Sequence, residues 1–160
     1  MVETVRMILK NKGDYVWSLP PDRTVYAAIA MMAEKSVGTI VVISGEHLVG
    51  IISERDYARK VILKGKLSKE TLVSEIMSSP VMTVDPEWTA DQCMRLMTEK
   101  RIRHLPVMDQ GNLVGIVSIG DLVKAIVSVQ AETIQYLSDY IEGKHTSGPI
   151  SAPVPSMRSK

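Results

Sequence analysis

The stretch Leu48-Val49-Gly50-Ile51-Ile52-Ser53-Glu54-Arg55-Asp56 has a close copy 65 residues later, Leu113-Val114-Gly115-Ile116-Val117-Ser118-Ile119-Gly120-Asp121. The match extends without a gap over residues 17–63 and 82–128, with twelve identical positions. A self-match at a fixed spacing indicates one supersecondary unit that is used twice. Because two units are too few for a solenoid, we expect a pair related by pseudo-twofold symmetry that buries its apolar faces together.

Each copy is predicted to fold in the order βαββα, which gives the chain an α/β (α+β) fold. A short extended piece comes first, followed by a proline and by a threonine, Thr24 or Thr89, that can cap a helix. The apolar spacing then indicates a helix and two strands, and a closing helix after Ser53 and after Ser118. The predicted bounds are 16–19 and 81–84 for the extended pieces, 25–36 and 90–101 for the helices, and 39–44, 47–53, 104–108 and 113–118 for the strands.

The repeat bounds divide the chain into six segments. Apolar residues at helical spacing near the N-terminus predict a short amphipathic helix that ends at Gly13, and a similar pattern continues beyond the second repeat to Glu142. The predicted segments are a lead-in helix in 1–13, repeat 1 in 14–63, a linker in 64–80, repeat 2 in 81–128, a helix extension in 129–143 and a disordered tail in 144–160.

Composition narrows the class of protein. The 160 residues carry 19 basic and 18 acidic side chains, a balance that favours neither nucleic acid nor an anionic membrane as partner. The single cysteine, Cys93, excludes an internal disulfide and fits a reducing cytoplasm. Without a signal peptide or an apolar run near the ~20 residues of a membrane span, we expect a soluble, cytoplasmic protein. The motifs of nucleotide hydrolases, nucleophile elbows and metal sites are missing from the sequence, so we expect no catalytic residues and no metal ligands.

Tandem βαββα units that end in Gly-x-x-Ser-x-x-Asp resemble the CBS domain family, named for cystathionine β-synthase. The two-copy arrangement over residues 14–128 is similar to a Bateman module of the small, stand-alone prokaryotic type. Four further phrases support the resemblance, namely Pro20-Pro21-Asp22, Val84-Asp85-Pro86, Val73-Ser74-Glu75-Ile76-Met77 and His104-Leu105-Pro106-Val107. The resemblance implies that adenosine nucleotides bind in clefts between the two copies.

The repeated Ser-x-x-Asp has two readings. It forms an ordinary capping box at a helix start. It also places a serine and a carboxylate on one side of that helix, where the carboxylate can accept from both hydroxyls of a ribose. Its occurrence in both copies directly after a glycine-containing strand favours a ligand, and the glycines Gly50 and Gly115 allow a ligand or a second backbone to approach closely. The resemblance implies ribose contacts for Ser53, Asp56, Ser118 and Asp121.

The two copies differ in their basic residues. Copy two places Arg101, Arg103 and His104 where copy one has small or neutral side chains, and a phosphate in the cleft between the copies needs such cations. Cations also stabilise a helix C-terminus, which explains Arg101. Arg55 at a helix start opposes the helix dipole and so indicates a phosphate. Arg55, Arg103 and His104 are the predicted phosphate contacts; the predicted base and cleft residues are Ser18, Val37, Gly38, Thr39, Ile52, Thr83, Ile102 and Val117.

The sequence therefore predicts a regulatory module that senses AMP, ADP, ATP or NAD and transmits the ligand state to a partner protein. The alternatives are a structural interaction module with empty clefts and, less favoured, a nucleotide-processing enzyme. A homodimer is expected because the helices after the two motifs carry more apolar residues than one core needs. These residues are Tyr57, Val61, Ile62, Leu122, Val123 and Ile126, with Ile134, Leu137 and Ile141 farther along the last helix.

Overall fold

The computed structural model describes residues 2–143, so the tail predicted at 144–160 lies outside the described residues. Copy one folds as predicted. Its elements are β1 (Ser18–Leu19), α2 (Val25–Lys35), β2 (Thr39–Ser44), β3 (His47–Ser53) and α3 (Glu54–Tyr57), which continues as a π-helix over Ala58–Ile62. Thr24 caps α2 by accepting from the backbone N–H of Ala27, and Ser53 caps α3.

Copy two repeats this order with one difference. Its elements are α5 (Ala90–Lys100), β4 (His104–Asp109), β5 (Asn112–Ser118) and α6, a single helix over Ile119–Ile141. The predicted extended piece at 81–84 contributes an isolated parallel bridge between Val84 and Val107 rather than a strand. The sheets are therefore β1-β2-β3 in copy one and β4-β5 in copy two. Both hairpins change register at the equivalent place, between Val42 and Ile43 and between Val107 and Met108.

Each copy has its own hydrophobic core, and the two sets of buried side chains form separate clusters. Buried side chains of copy one form one cluster with the linker residues Val73 and Ile76. Those of copy two form a second cluster with Val5 and Ile8 from the N-terminus. A segment outside each repeat therefore helps to close each core.

The covering segments are α1 (Val5–Lys12) and α4 (Val73–Ile76), which contact the two copies in equivalent ways. The backbone N–H of Val5 donates to the carbonyl of Trp88 at 2.8 Å, and that of Val73 donates to the carbonyl of Arg23, the residue equivalent to Trp88, also at 2.8 Å. The N-terminal helix therefore packs on copy two, while the linker between the copies packs on copy one.

Gly50 and Gly115 lie under these covering segments. A Cβ at Gly50 would overlap the side chain of Met77, and a Cβ at Gly115 would lie 2.8 Å from both terminal carbons of Leu9. The expected approach of a second backbone occurs beside Gly50, where Ser78 forms a bridge with the neighbouring Ile51. The space over each glycine itself is filled by an apolar side chain, Met77 at Gly50 and Leu9 at Gly115.

The residues expected to be surplus to one core divide into two groups. Val61 and Leu122 are buried in the two cores, and Tyr57 and Ile126 pack against them. Ile62 and Val123 remain exposed, as do Ile134 and Ile141 on the last helix. Among residues 2–143, no helix combines the length and apolar character needed to cross a membrane.

Candidate functional site

A cavity of about 490 Å³ opens between the two copies, and we call it the first cleft. Copy one contributes the end of β3 and the start of α3, while copy two contributes the end of α5 and the start of β4. The chain between α4 and copy two forms a third wall. The lining residues are Gly38, Thr39, Ile51, Ser53, Glu54, Arg55, Asp56, Arg59, Ser78, Pro80, Val81, Met82, Lys100, Arg101, Ile102, Arg103 and His104.

Thr39 and His104 join the two copies at this cleft. They begin β2 and β4 at equivalent positions, and Thr39 Oγ1 lies 2.9 Å from His104 Nδ1. Burial is the main reason that the pKa of His104 lies below its ordinary value, and the positive charges of Lys12 and Arg103 lower it further while Asp121 opposes them. The pseudo-twofold axis thus passes between a hydroxyl and an imidazole that holds its proton weakly.

The Ser53–Asp56 pair forms a complete capping box beside the cleft. Asp56 Oδ2 accepts from the backbone N–H of Ser53 at 2.9 Å and from its hydroxyl at 3.1 Å, while the Ser53 oxygen accepts from the backbone N–H of Asp56 at 3.2 Å. The second oxygen of Asp56 lies 3.3 Å from Lys60 Nζ. An ionised carboxylate has about four acceptor positions. Asp56 can therefore cap the helix and still accept from a ligand in the cleft.

Five cationic side chains line the first cleft, against the two carboxylates of Glu54 and Asp56. Within residues 2–143, none of the five forms a salt bridge. They are Arg55, Arg59, Lys100, Arg101 and Arg103. Positive charges left unpaired around a concave surface create a field that attracts an anion. Residues 2–143 contain no cluster of three or more His, Cys, Asp or Glu side chains that could hold a metal ion.

The second Ser-x-x-Asp lies in a different environment. Asp121 Oδ2 accepts from the backbone N–H of Ser118 at 2.8 Å, as in copy one, but it also receives Lys12 Nζ at 2.6 Å. Burial alone would raise the pKa of Asp121, yet the hydrogen bonds from Lys12 and Ser118 and the charge of Lys12 hold it below its ordinary value. Ser118 and Asp121 are not among the residues that line the first cleft.

The structure brings together eight of the predicted site residues in the first cleft. They are Gly38, Thr39, Ser53, Arg55, Asp56, Ile102, Arg103 and His104. Their ligand roles remain predictions.

Other predicted site residues lie elsewhere. Ile52 and Val117 are 0% exposed in the two cores and cannot form a slot for a base. Successive side chains of a strand point to opposite faces, so the neighbour Ile51 faces the first cleft instead. Val37 packs against the core of copy one, Thr83 lines a separate cavity, and Ser18 is an exposed residue of β1.

Sequence reasoning missed several lining residues. Arg59 follows Arg55 by four positions, a spacing that puts both on one face of a helix, and Lys100 directly precedes the Arg101–Arg103 cluster. Both signals were present in the sequence. The segment from Ser78 to Met82 also lines the cleft, but it is carried there by the docking of α4 on copy one and has no local signal of its own.

Comparisons with known proteins agree with this architecture. The family model for the CBS domain matches residues 13–63 and 73–128. The mitochondrial CBS domain-containing protein CBSX3 of Arabidopsis thaliana is 43% identical over 150 residues, which cover 88% of this chain and 72% of that protein. The structure of a protein with CBS domains from Burkholderia ambifaria has a TM-score of 0.77 at 49% identity, covering 78% of this chain and 94% of that one.

One further solved structure contains ligands. The CBS domain pair of protein MJ0100, in complex with 5′-methylthioadenosine and S-adenosyl-L-methionine, has a TM-score of 0.70 at 22% identity and covers 80% of this chain and 98% of that one. At that identity the two chains share the fold.

Proposed function

This chain belongs to the CBS domain family, as its tandem motifs predicted, and we propose that it is a regulatory module that binds an adenine nucleotide in the first cleft. The observation that carries the proposal is that one cavity contains both the carboxylate of Asp56 and five cations that form no salt bridge within residues 2–143. The carboxylate can accept hydrogen bonds from ribose hydroxyls, and the cations can bind phosphate. Neither group is explained by the packing of the cores.

We expect the ribose to bind at one end of the first cleft and the phosphates at the other. Asp56 and the start of α3 belong to copy one and would accept from the ribose hydroxyls. Arg101 and Arg103 belong to copy two and would hold phosphate, with Arg55 and Arg59 beside the ribose end. A nucleotide in this position contacts both copies at once.

The charge of the cleft selects among adenosyl ligands. Cations around the cavity favour AMP, ADP, ATP or NAD over uncharged adenosine. They also disfavour the positive sulfonium of S-adenosylmethionine, although the fold accommodates that ligand in MJ0100. Because that pair shares only its fold with this chain, the choice of ligand is argued from the residues of the first cleft alone.

Signal transmission follows from the position of the ligand across the two copies. A nucleotide that bridges them favours the relative orientation in which both sets of contacts are made, and this changes the surface offered to a partner protein. Its effect cannot exceed the difference between its binding free energies for the two orientations. The reducing cytoplasm predicted from the free thiol Cys93 is part of the same proposal.

The proposal includes a homodimer. Exposed apolar side chains lie on the closing helices of both copies, beyond the two cores. They include Ile62 in copy one and Val123, Val127, Ile134 and Ile141 on α6. Apolar surface that is contiguous along helices is characteristic of an interface, and a second copy of the same chain provides a self-complementary partner.

Isothermal titration with AMP, ATP, NAD, adenosine and S-adenosylmethionine tests the function. We expect the phosphorylated ligands to bind and Asp56→Ala to weaken them by at least tenfold, as the loss of charged hydrogen bonds predicts. Asp91→Ala is the matched control, because Asp91 is an exposed helical carboxylate that pairs only with Arg95 among the described salt bridges. Binding that is unchanged in Asp56→Ala would contradict the site. Failure of every ligand to bind would favour the structural module, and conversion of a nucleotide to products would favour the enzyme.

A further inference from the structure

The two covering segments, equivalent in how they begin, differ in how they end. α4 has four residues and is followed by Met77 in an extended conformation; the backbone of the next residue, Ser78, exchanges two hydrogen bonds with Ile51, of 2.8 and 3.1 Å. α1 has eight residues and reaches Lys12 before Gly13 ends it. Counting on from the equivalent pair Val5 and Val73, the position of Lys12 corresponds to Pro80, which lines the first cleft. The last turn of α1, which carries Lys12, has no helical counterpart in α4.

Lys12 uses the two groups of copy two that correspond to cleft groups of copy one. Its Nζ donates to Asp121 Oδ2 at 2.6 Å and to the carbonyl oxygen of Ile116 at 2.9 Å. The equivalents of these residues, Asp56 and Ile51, both line the first cleft. In copy one the carbonyl oxygen of Ile51 accepts from the backbone N–H of Ser78, so Lys12 gives Ile116 the donor that Ser78 gives Ile51. Its other bond, to Asp121, is at the carboxylate that pseudo-twofold symmetry relates to Asp56. We call the region around Ser118 and Asp121 the second cleft; the ammonium group of Lys12 lies where a ligand there would meet the carboxylate.

The Lys12–Asp121 pair is partly exposed, but at 2.6 Å it is closer than the 3.3 Å pair that Asp56 forms with Lys60. The side chains of Lys12 and Asp121 are 32% and 22% exposed, so solvent only partly screens their attraction. A ribose offers neutral hydroxyls, and a hydrogen bond from a charged donor to a carboxylate is stronger than one from a neutral donor. To bind as in the first cleft, a ribose would have to displace both the charge and the bulk of the lysine side chain.

We propose that Lys12 closes the second cleft to nucleotide and is the residue that limits the protein to one nucleotide per chain. The inference rests on the proposed function of the first cleft. The two copies of the Ser-x-x-Asp motif then have different roles. Ser118 and Asp121 cap α6 and hold α1 through Lys12, while Ser53 and Asp56 bind ribose.

Titration with ATP of the wild-type protein, Lys12→Ala and Lys10→Ala tests this inference. Lys10 is an exposed cation near the end of the same helix and serves as the matched control. We expect about one ATP per chain for the wild type and the control, and about two for Lys12→Ala, with the second cleft gaining at least about tenfold in affinity. The double variant Lys12→Ala/Asp121→Ala should return to one, which assigns the additional ATP to the second cleft. Lys12→Gln, which removes the charge and keeps most of the bulk of the side chain, separates the two effects and should also bind more than one ATP.

The outcomes separate this inference from the proposed function. One ATP per chain in both wild type and Lys12→Ala, lost in Asp56→Ala, would overturn the role of Lys12 and leave the first cleft intact. Two ATP per chain in the wild type, reduced by Lys12→Ala, would overturn it as well, because Lys12 would then be a phosphate contact. Absence of ATP binding in every protein would contradict the nucleotide proposal itself and this inference with it.

Discussion

Thr39 and His104 occupy the same position in the two copies, and their side chains meet at 2.9 Å between Oγ1 and Nδ1. Residues that are related by pseudo-twofold symmetry can contact each other only beside the axis. The two residue types differ, so one hydrogen bond joins the copies at the point where the first cleft begins. Any ligand that rotates one copy against the other must change the environment of this contact.

The burial of His104 predicts a pH dependence of stability. Its folded-state pKa lies below the ordinary value of 6.5, chiefly through burial, so the folded protein binds this proton less readily than the unfolded chain does. The contribution of His104 is present above pH 6.5 and is lost as the pH falls through the lower folded pKa. The groups that act on the ring are Lys12, Asp121 and Arg103.

Urea denaturation at several values between pH 5 and pH 8 measures this dependence. As the pH is lowered from 8 to 5, we expect the free energy of unfolding to decrease more in the wild type than in His104→Gln, which has no imidazole to titrate. Parallel curves for the two proteins would show that the imidazole is not the group responsible. Asp121 adds a separate loss only near and below its ordinary value of 3.8, because its folded pKa is also lowered.

Arg103→Ala should weaken ligands in proportion to their phosphates. Loss of one charged hydrogen bond costs roughly 1.5–3 kcal/mol, so we expect AMP and ATP to bind more than about tenfold less tightly while adenosine changes little. Arg95→Ala is the control, since Arg95 pairs with Asp91 on the exposed face of α5. An equal loss for adenosine and AMP would make Arg103 a structural residue and Arg55 the next phosphate candidate.

Gly115→Ala should destabilise the protein, because a Cβ there would lie 2.8 Å from both terminal carbons of Leu9. Overpacking of this kind costs about 1–3 kcal/mol, and Cγ of Leu9, at 3.3 Å, is also crowded, so the branch point must shift with both terminal carbons. Gly120→Ala is the matched control: its Cβ would meet only Ser118 Oγ at 3.6 Å, and alanine favours a helix by up to about 1 kcal/mol. Equal unfolding free energies for the two variants would contradict the packing of α1 on copy two.

Cys93 should not react with thiol reagents while the protein is folded. The side chain is 0% exposed, and burial raises the pKa of its thiol to about 11, so the reactive thiolate is scarce at pH 8. With Ellman's reagent we expect slow labelling of the native protein and rapid labelling of one thiol per chain in guanidinium chloride. Fast labelling without denaturant would place Cys93 outside the core of copy two.

Val127→Glu should convert the expected homodimer into a monomer. Val127 is 59% exposed on α6, in line with Val123 and Ile134, so a charge there is harmless to a monomer and costly in an apolar interface. Light scattering at micromolar concentration should give about twice the chain mass for the wild type and about one chain mass for the variant. Replacement of the exposed Lys124 by glutamine on the same helix is the control, and a monomeric wild type would contradict the dimer.

The sequence alone determined the repeat, the element order and the family. These features depend on patterns within short windows, such as the apolar run before Ser53 and the cap at Thr24, and both copies carry the same patterns. The carboxylate end and much of the basic end of the first cleft could also be predicted, because Asp56 and Arg103 stand at the ends of predicted elements.

Only the tertiary structure decided which copy each flanking segment covers. The N-terminal helix and the linker have similar local patterns, and nothing near Leu9 or Met77 in sequence identifies the glycine that each one covers. The tertiary structure also decided which face of β3 lies in the core, so that Ile52 is buried and Ile51 lines the first cleft. These choices depend on contacts between residues far apart in the chain, whose free energies exist only once the copies have folded. The contact of Lys12 with Asp121, which spans 109 residues, is of this kind and separates two motifs that are nearly identical in sequence.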